Sequence, residues 1–385
     1  MAGSSPNHEA EWSLLRAACS ANPQETIQSI VSVVPSPRWK ILFQLAERHG
    51  ALPLLYPALS GIQSMVPADE MRGLAQSYQV NLHKSLFLAR EFIRIADSLD
   101  AIGVEFLPYK GLTLAEGAYG DMALRQSGDI DLLIRPHDLP RIRKAVHGLG
   151  YEPHGPLGEV EEQAYLRSGY ECAFDCEAGR NLLEVQWAIQ PRFYAVDYDM
   201  GGLFERAILV TVAGRSVKTL CMEDLFIILS LHAAKHAWAR LIWLCDLVRI
   251  MNSPPLNWAW IGTQAIKLGV ARILRVSLLL AEHLLGAKVP SAADSSLPKD
   301  SKAAALSEEI EKHIASQSDF DVESLAYFRL MLRLRERQTD RVRFLSRLAF
   351  TPGPGEWAAI RLPRFLFPLY RLVRISRLAA RVVGG

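Results

Sequence analysis

Asp129 and Asp131 bracket a single isoleucine at the mouth of an apolar run, Asp129-Ile130-Asp131-Leu132-Leu133-Ile134. Alternate side chains of a strand share a face, so the two carboxylates point together while Ile130, Leu132 and Ile134 turn into a core. Two such charges about 4 Å apart repel by about 1–4 kcal/mol between the dielectric of water and that of a protein surface. A cation between them removes that cost. The hard ion that takes carboxylate oxygens and fills its remaining positions with water and phosphate is Mg2+, with Mn2+ as a substitute. An isolated Asp-x-Asp is more commonly a solvated strand end, so the neighbouring residues must decide.

Upstream, Val104-Glu105-Phe106-Leu107 reads as a short strand ending at Pro108, and Lys110-Gly111 opens a helix over Leu112 to Tyr119. Gly111 lets the backbone approach a ligand, the amides at the helix start meet an anion, and Lys110 adds a point charge. Arg125, Ser127 and Gly128 come just before the carboxylates, where a guanidinium and a hydroxyl hold phosphates in line with an ion. Lys110, Gly111, Arg125, Ser127 and Gly128 thus outline a triphosphate. Without a ligand, the same residues read as a capped helix, a paired arginine and a turn glycine.

A third carboxylate is expected from a hairpin. Tyr170 to Cys176 and Asn181 to Ile189 read as antiparallel strands joined by Glu177-Ala178-Gly179-Arg180. Leu183, Val185 and Trp187 share one face of the second strand, leaving Glu184 and Gln186 on the other. Two metal ions serving the attacking and the leaving oxygen need a shared ligand plus another from a neighbouring strand, and Glu184 is the candidate because its strand is the more apolar and so the more central. Asp175 is the competitor. The metal set is then Asp129, Asp131 and Glu184.

The order Lys110-Gly111, helix, then Arg125-x-Ser127-x-Asp129-Ile130-Asp131-Leu132-Leu133-Ile134 resembles the uncharacterised nucleotidyltransferase family of the DNA polymerase β-like nucleotidyltransferase superfamily. Over this stretch alone it is also similar to the nucleotidyltransferase toxins of abortive-infection systems. Trp39 to Tyr56, Leu231 to Val248 and the Pro352 to Leu372 region resemble the first family too, nearly spanning the chain. The resemblance implies an α+β fold: a polymerase β-like core of small mixed sheet and helices, flanked by N-terminal and C-terminal helical domains. It also implies Mg2+-dependent transfer of a nucleoside monophosphate from an NTP to an acceptor hydroxyl or phosphate, with release of pyrophosphate. Gly111-Leu112 stands where the superfamily usually has Gly-Gly or Gly-Ser, and Gln186 where the family often has histidine. The acceptor, whether small molecule, peptide or RNA, stays open. A toxin-like RNA-modifying enzyme and a non-catalytic nucleotide-binding or scaffold protein are the other readings.

A chain of 385 residues has room for two or three domains. The expected division is an N-terminal helical domain (1–101), the α/β core (102–220), a helical domain closing the site (221–290) and a linker with a basic helical C-terminal region (291–385). With 43 basic and 41 acidic residues, net charge names no partner. Five scattered cysteines argue for a reducing compartment, and Cys172 and Cys176 lack the second pair that would complete a zinc site. The polar start MAGSSPNHEAEW is unlike an export signal, and no apolar run reaches roughly 18 residues, so a cytoplasmic protein without a membrane span is expected.

Helical spacing marks Trp12, Leu15 and Cys19, then Ile41, Leu42, Leu45 and Ala46, then Leu86, Phe87, Ile93, Ile95 and Leu99, with breaks at Pro35-Ser36-Pro37 and His49-Gly50. His49 reads as a capping or packing residue. Asp138 reads as the N-cap of a helix ending at Gly150, with a strand starting at Tyr151, and residues 207–220 as a hairpin turning at Gly214. In the helix pair Met222 to Met251, His232, Lys235 and His236 share a face. They lack the glutamate of HExxH and a third ligand, so they read as a basic clamp on nucleotide or acceptor, with Asp246 as general base, or else as a polar seam between domains. Ser291 to Ser301 reads as a linker. Beyond it, Arg371, Arg374, Arg377 and Arg381 form a helical stripe opposite Leu372, Ile375, Leu378, Ala379 and Val382. That apolar face is expected to pack on the protein; an anionic membrane, a nucleic acid or an acidic partner would also suit such a helix.

Overall fold

The computed structural model describes residues 8–20, 23–33, 37–155, 157–177, 179–252, 255–316 and 324–384. Residues 1–7, the Pro35-Ser36 break and Ala178 of the hairpin turn lie outside the described residues. Among the described residues the larger sheet has five strands: β1 (Phe106–Pro108), β2 (Ile130–Ile134), β3 (Glu152–Pro153), β4 (Glu171–Cys176) and β5 (Gly179–Gln186). They lie in the order β1-β2-β5-β4-β3. Only β2 and β5 run parallel, so the sheet is mixed and the fold is α+β.

β2 is buried along its whole length, as a near-continuous apolar run predicts for a central strand. Its two faces meet different cores. Ile130, Leu132 and Ile134 pack with Leu88, Phe92, Ile95 and Leu99 of the long helix Ala68–Ala101 and with Ile142 and Val146 of the helix Leu139–His147. Leu133 joins Leu107, Tyr109 and the helices that follow the sheet. Each such side chain contributes about 1.5–3 kcal/mol on burial. Asp131 sits in phase with Leu133, so the carboxylate face of the sheet looks toward those later helices. The long helix buries Leu88, Phe92, Ile95 and Leu99, whereas Leu86 and Phe87, expected on its apolar stripe, are exposed. Its last third therefore belongs to the sheet's core.

A second hairpin, β6 (Ile208–Val212) and β7 (Arg215–Thr219), turns at Ala213-Gly214 with φ positive at both, the backbone that suits right-twisted strands. Thr219 Oγ1 donates to the Pro108 carbonyl and lays this hairpin beside β1. The helices Met222–Lys235 and Leu241–Met251 meet at Ala237 and Trp238, both at positive φ. Such a pair of non-glycine residues is strained, and the fully buried Trp238, whose Nε1 donates to Ser277 Oγ at 3.0 Å, holds it in place. Asp138 does not cap with its side chain; it pairs with Arg141 at 2.9 Å.

Two expectations are corrected at the C-terminal end. Residues 291–301 are not an open linker: Ser291–Ser296 is a helix lying so close to Trp258–Leu268 that a Cβ on Gly262 would stand 2.4 Å from the Ser296 carbonyl oxygen. Ala293 and Leu297 are buried, and the next helix, Ser301–Ala315, packs Ala303, Leu306 and Ile310 inward. The arginine stripe of the last helix, Tyr370–Gly384, is split: Arg371 is exposed, Leu378 of the opposite face packs on the core, and the Arg381 side chain lies outside the described ones. Arg374 and Arg377 turn inward onto the buried Glu356, at 3.3 and 2.9 Å, while Leu372 and Ile375 are exposed. A buried carboxylate has to be paired, and the arginines are what this segment offers it. No described helix is long and apolar enough to cross a membrane, and all five cysteines are free thiols.

Candidate functional site

Lys110 leaves β1 in an extended conformation and Gly111 follows at φ +52, starting the helix Gly111–Gly117. The left-handed backbone suits glycine, and the fit is tight: a Cβ there would lie 3.3 Å from the Asp129 carbonyl oxygen and 3.4 Å from Ser127 Oγ. Lys110 Nζ reaches Asp131 Oδ1 at 3.1 Å and lies over the Tyr109 ring. Across the parallel pairing of β2 and β5, Asp131 stands opposite Glu184. Across β5 and β4, Gln186 stands opposite Glu171.

Gln186 ties these groups together. Its Nε2 lies 3.0 Å from Asp131 Oδ1, 3.2 Å from Glu184 Oε2 and 3.4 Å from Glu171 Oε2, and its Oε1 accepts from the Tyr109 hydroxyl. One amide nitrogen carries two protons, too few for three carboxylates. Burial, then repulsion from Asp131, Glu171 and Asp129, pushes Glu184 up to about 8. Burial and Asp131 push Asp129 up to about 6. Glu171 is raised too, chiefly by burial. Burial works against the Lys110 ammonium, but Asp131, Tyr109 and Glu184 outweigh it and hold the charge above its ordinary range.

Arg125 is fixed from behind. Its Nε and Nη2 each donate to Asp246 at 2.9 Å, Nη1 reaches Ser127 Oγ at 3.3 Å, and the Tyr119 hydroxyl donates to the same carboxylate at 2.8 Å. Asp246, expected as a general base, is fully buried, does not line the cavity and has both oxygens bonded to Arg125. His232, Lys235 and His236 do reach the cavity, the two imidazoles packed against each other and against Trp243. Burial and then Lys110 depress His232, and burial and then Lys235 bring His236 down to about 3, so the two imidazoles face the cavity as neutral groups. Lys235 supplies the cation of that face; its Nζ donates to the Tyr170 hydroxyl at 3.1 Å.

The cavity over these residues measures about 1170 Å³, and Gly128 and Asp129 also line it. Asp175 lies elsewhere, paired with His154 at 2.8 Å. Glu171, Tyr170 and Lys84 line the cavity and were not singled out from sequence. Glu171 left a signal, since strands joined by Glu177–Arg180, as read from the sequence, would set it opposite Gln186; Lys84, on the long helix far from the carboxylates in the chain, left none. His49 packs as expected, buried beside Trp12 with ring centroids 5.2 Å apart.

Among the described residues no three acidic, histidine or cysteine side chains converge as a closed metal cage. What the geometry defines is an acidic floor under a polar cavity, crossed by lysines, in a mixed α+β fold. The chain belongs to the uncharacterised nucleotidyltransferase family, whose model matches residues 35–286 and takes in every residue of this site. It is on that evidence a transferase by family. The Pro352 to Leu372 region, expected to belong to the resemblance, falls outside the match. No curated protein and no solved structure matches the chain.

Proposed function

We propose that the protein is a Mg2+-dependent nucleotidyltransferase with a polymerase β-like core, moving an NMP from an NTP to an acceptor hydroxyl or phosphate. The observation that carries this is the charge balance of the floor. Asp129, Asp131, Glu171 and Glu184 are faced by Lys110, Lys235 and, beside Asp129, Lys84, since Arg125 is neutralised by Asp246, and the floor is left net negative. The raised pKa values of Asp129 and Glu184 reflect burial first and then that crowding of carboxylates. A divalent cation would offset the net negative charge, and the all-oxygen donor set suits Mg2+, which keeps water and phosphate in its shell rather than demanding a protein cage. Asp129, Asp131 and Glu184 would hold it; bound there, it would stabilise charge on the reacting phosphate oxygens.

In this reading Lys110, Arg125, Ser127 and the backbone at Gly111 and Gly128 hold the triphosphate, and Gln186 keeps the carboxylates in register. The acceptor oxygen attacks the α-phosphorus, the bond to the bridging oxygen breaks, and pyrophosphate leaves. Rate comes from alignment and charge stabilisation. The cavity exceeds the roughly 300–1,000 Å³ usual for one ligand, which leaves room for an acceptor beside His232, Lys235 and His236.

Titration calorimetry of Mg-NTP is the direct test. A charge-assisted contact contributes about 1.5–3 kcal/mol, so Lys110→Ala is expected to weaken binding by about ten- to a hundredfold. Unchanged affinity in a folded Lys110→Ala protein removes the phosphate role. Incubation with each labelled NTP, Mg2+ and a cell extract, followed by mass spectrometry, identifies what gains the nucleotide. Binding without any transfer would favour a non-catalytic nucleotide-binding protein.

A further inference from the structure

Between residues 341 and 385 the chain has nine arginines, no lysine and one acid, Glu356. Glu356 is buried and taken up by Arg374 and Arg377, so it does not offset the charge outside. On the outer side of the last helix Leu372, 62 % exposed, and Ile375 stand one turn apart, in line with Leu369. Phe365, just before them, is 80 % exposed. Phe350 and Arg371 line a common hollow of about 450 Å³ that also takes in Arg167, Arg192, Arg347 and Thr351. Arg347 is held by Asp197 at 2.7 and 2.8 Å, which leaves the hollow's charge to the other three arginines. Among the described residues its lining contains no carboxylate.

We propose that this face docks on an anionic phospholipid membrane, with a lipid phosphate seated among the arginines of the hollow and Phe350, Phe365, Leu369 and Leu372 entering the boundary between headgroups and acyl chains. A helix that puts protruding apolar side chains beside cationic ones lies in the membrane interface, gaining both apolar burial and attraction to anionic lipid. The two other occupants fit less well. A second copy placed face to face would set one arginine cluster against another. A nucleic acid gives Leu372 and Ile375 nothing apolar to enter, and the exposed rings of this face among the described residues are Phe350 and Phe365, short of a run of stacking platforms.

The test is co-sedimentation of the full chain with vesicles of phosphatidylcholine alone or with roughly a third phosphatidylglycerol, at rising salt. Binding is expected to the anionic vesicles, to fall with salt, and to drop at least about tenfold in Phe365→Ser/Leu372→Ser and again in Arg371→Ala. Thermal unfolding should not change in these variants, because the side chains removed are exposed. Glycerol 3-phosphate, which offers the phosphate without acyl chains, should fail to displace the vesicles. The proposal is overturned if the wild type ignores anionic vesicles, if the variants bind them equally, or if glycerol 3-phosphate displaces them. It is also overturned if sedimentation velocity shows a dimer, or filter binding an RNA complex, that the double variant abolishes.

Discussion

Glu184→Gln is expected to lower turnover by about 10²- to 10³-fold, the loss typical of removing one fixed electrostatic contributor. It should do so without destabilising the cation-free protein. Glu184 is held at about 8, against an ordinary 4.5, by burial and by its three carboxylate neighbours. With the folded pKa raised, the folded state keeps a proton that the unfolded chain gives up, so this group's contribution to stability is intact below about 4.5, declines as the pH rises, and is fully lost above about 8. Glutamine has no proton to lose, and that slope should vanish in the variant. Mg2+ would pair with the ionised carboxylate, so it should raise the wild-type melting temperature most at the alkaline end. Scanning fluorimetry across pH, with and without Mg2+, beside nucleotide incorporation into extract, gives both readouts. Full turnover in the variant, or an Mg2+ response the same in both proteins, sinks the assignment. Asp129→Asn should behave alike. Asp131→Asn should also lose stability, because it strips Lys110 of its counter-charge.

Asp246→Asn is expected to destabilise the fold by about 3–5 kcal/mol, the usual consequence of removing one partner from a buried ion pair. The pair is nearly out of solvent, both oxygens of Asp246 are taken by Arg125, and Tyr119 donates to the same group. Denaturant titration of the single variant and of Arg125→Met/Asp246→Leu separates the two roles. If Asp246 positions Arg125, the double variant recovers much of the stability, since an apolar pair can replace a buried ionic one. A stable Asp246→Asn protein that has lost turnover would restore the general base.

Strand alternation was enough to read Asp129 and Asp131 as one face, and the more apolar run of its strand was what preferred Glu184 over Asp175. Gln186 was legible as a neighbour of Glu184, though not as the amide shared by three carboxylates, which depends on two strand pairings at once. Asp246 shows where sequence reasoning stops: its partner lies 121 residues away, so nothing local distinguishes a base from a counter-ion. Residues 291–301 were misread because their polar residues are the exposed side of a packed helix, and composition cannot tell that from a linker. The last helix was amphipathic as expected, but Glu356, a single acid 18 residues earlier than Arg374, drew Arg374 and Arg377 inward.

The long helix has a mechanical consequence. Thirty-four residues at a rise of about 1.5 Å each make a rod of roughly 50 Å, and its far end is set in the core behind the sheet. Midway, Tyr78, Asn81 and Ser85 bond to Asp121, Ala123 and Met122, the loop that delivers Arg125. Asn81 and Lys84, beside those bonds, line the cavity. One side of the cavity is thus a stanchion braced at two points, and whatever narrowing a bound nucleotide brings about has to come from the opposite jaw.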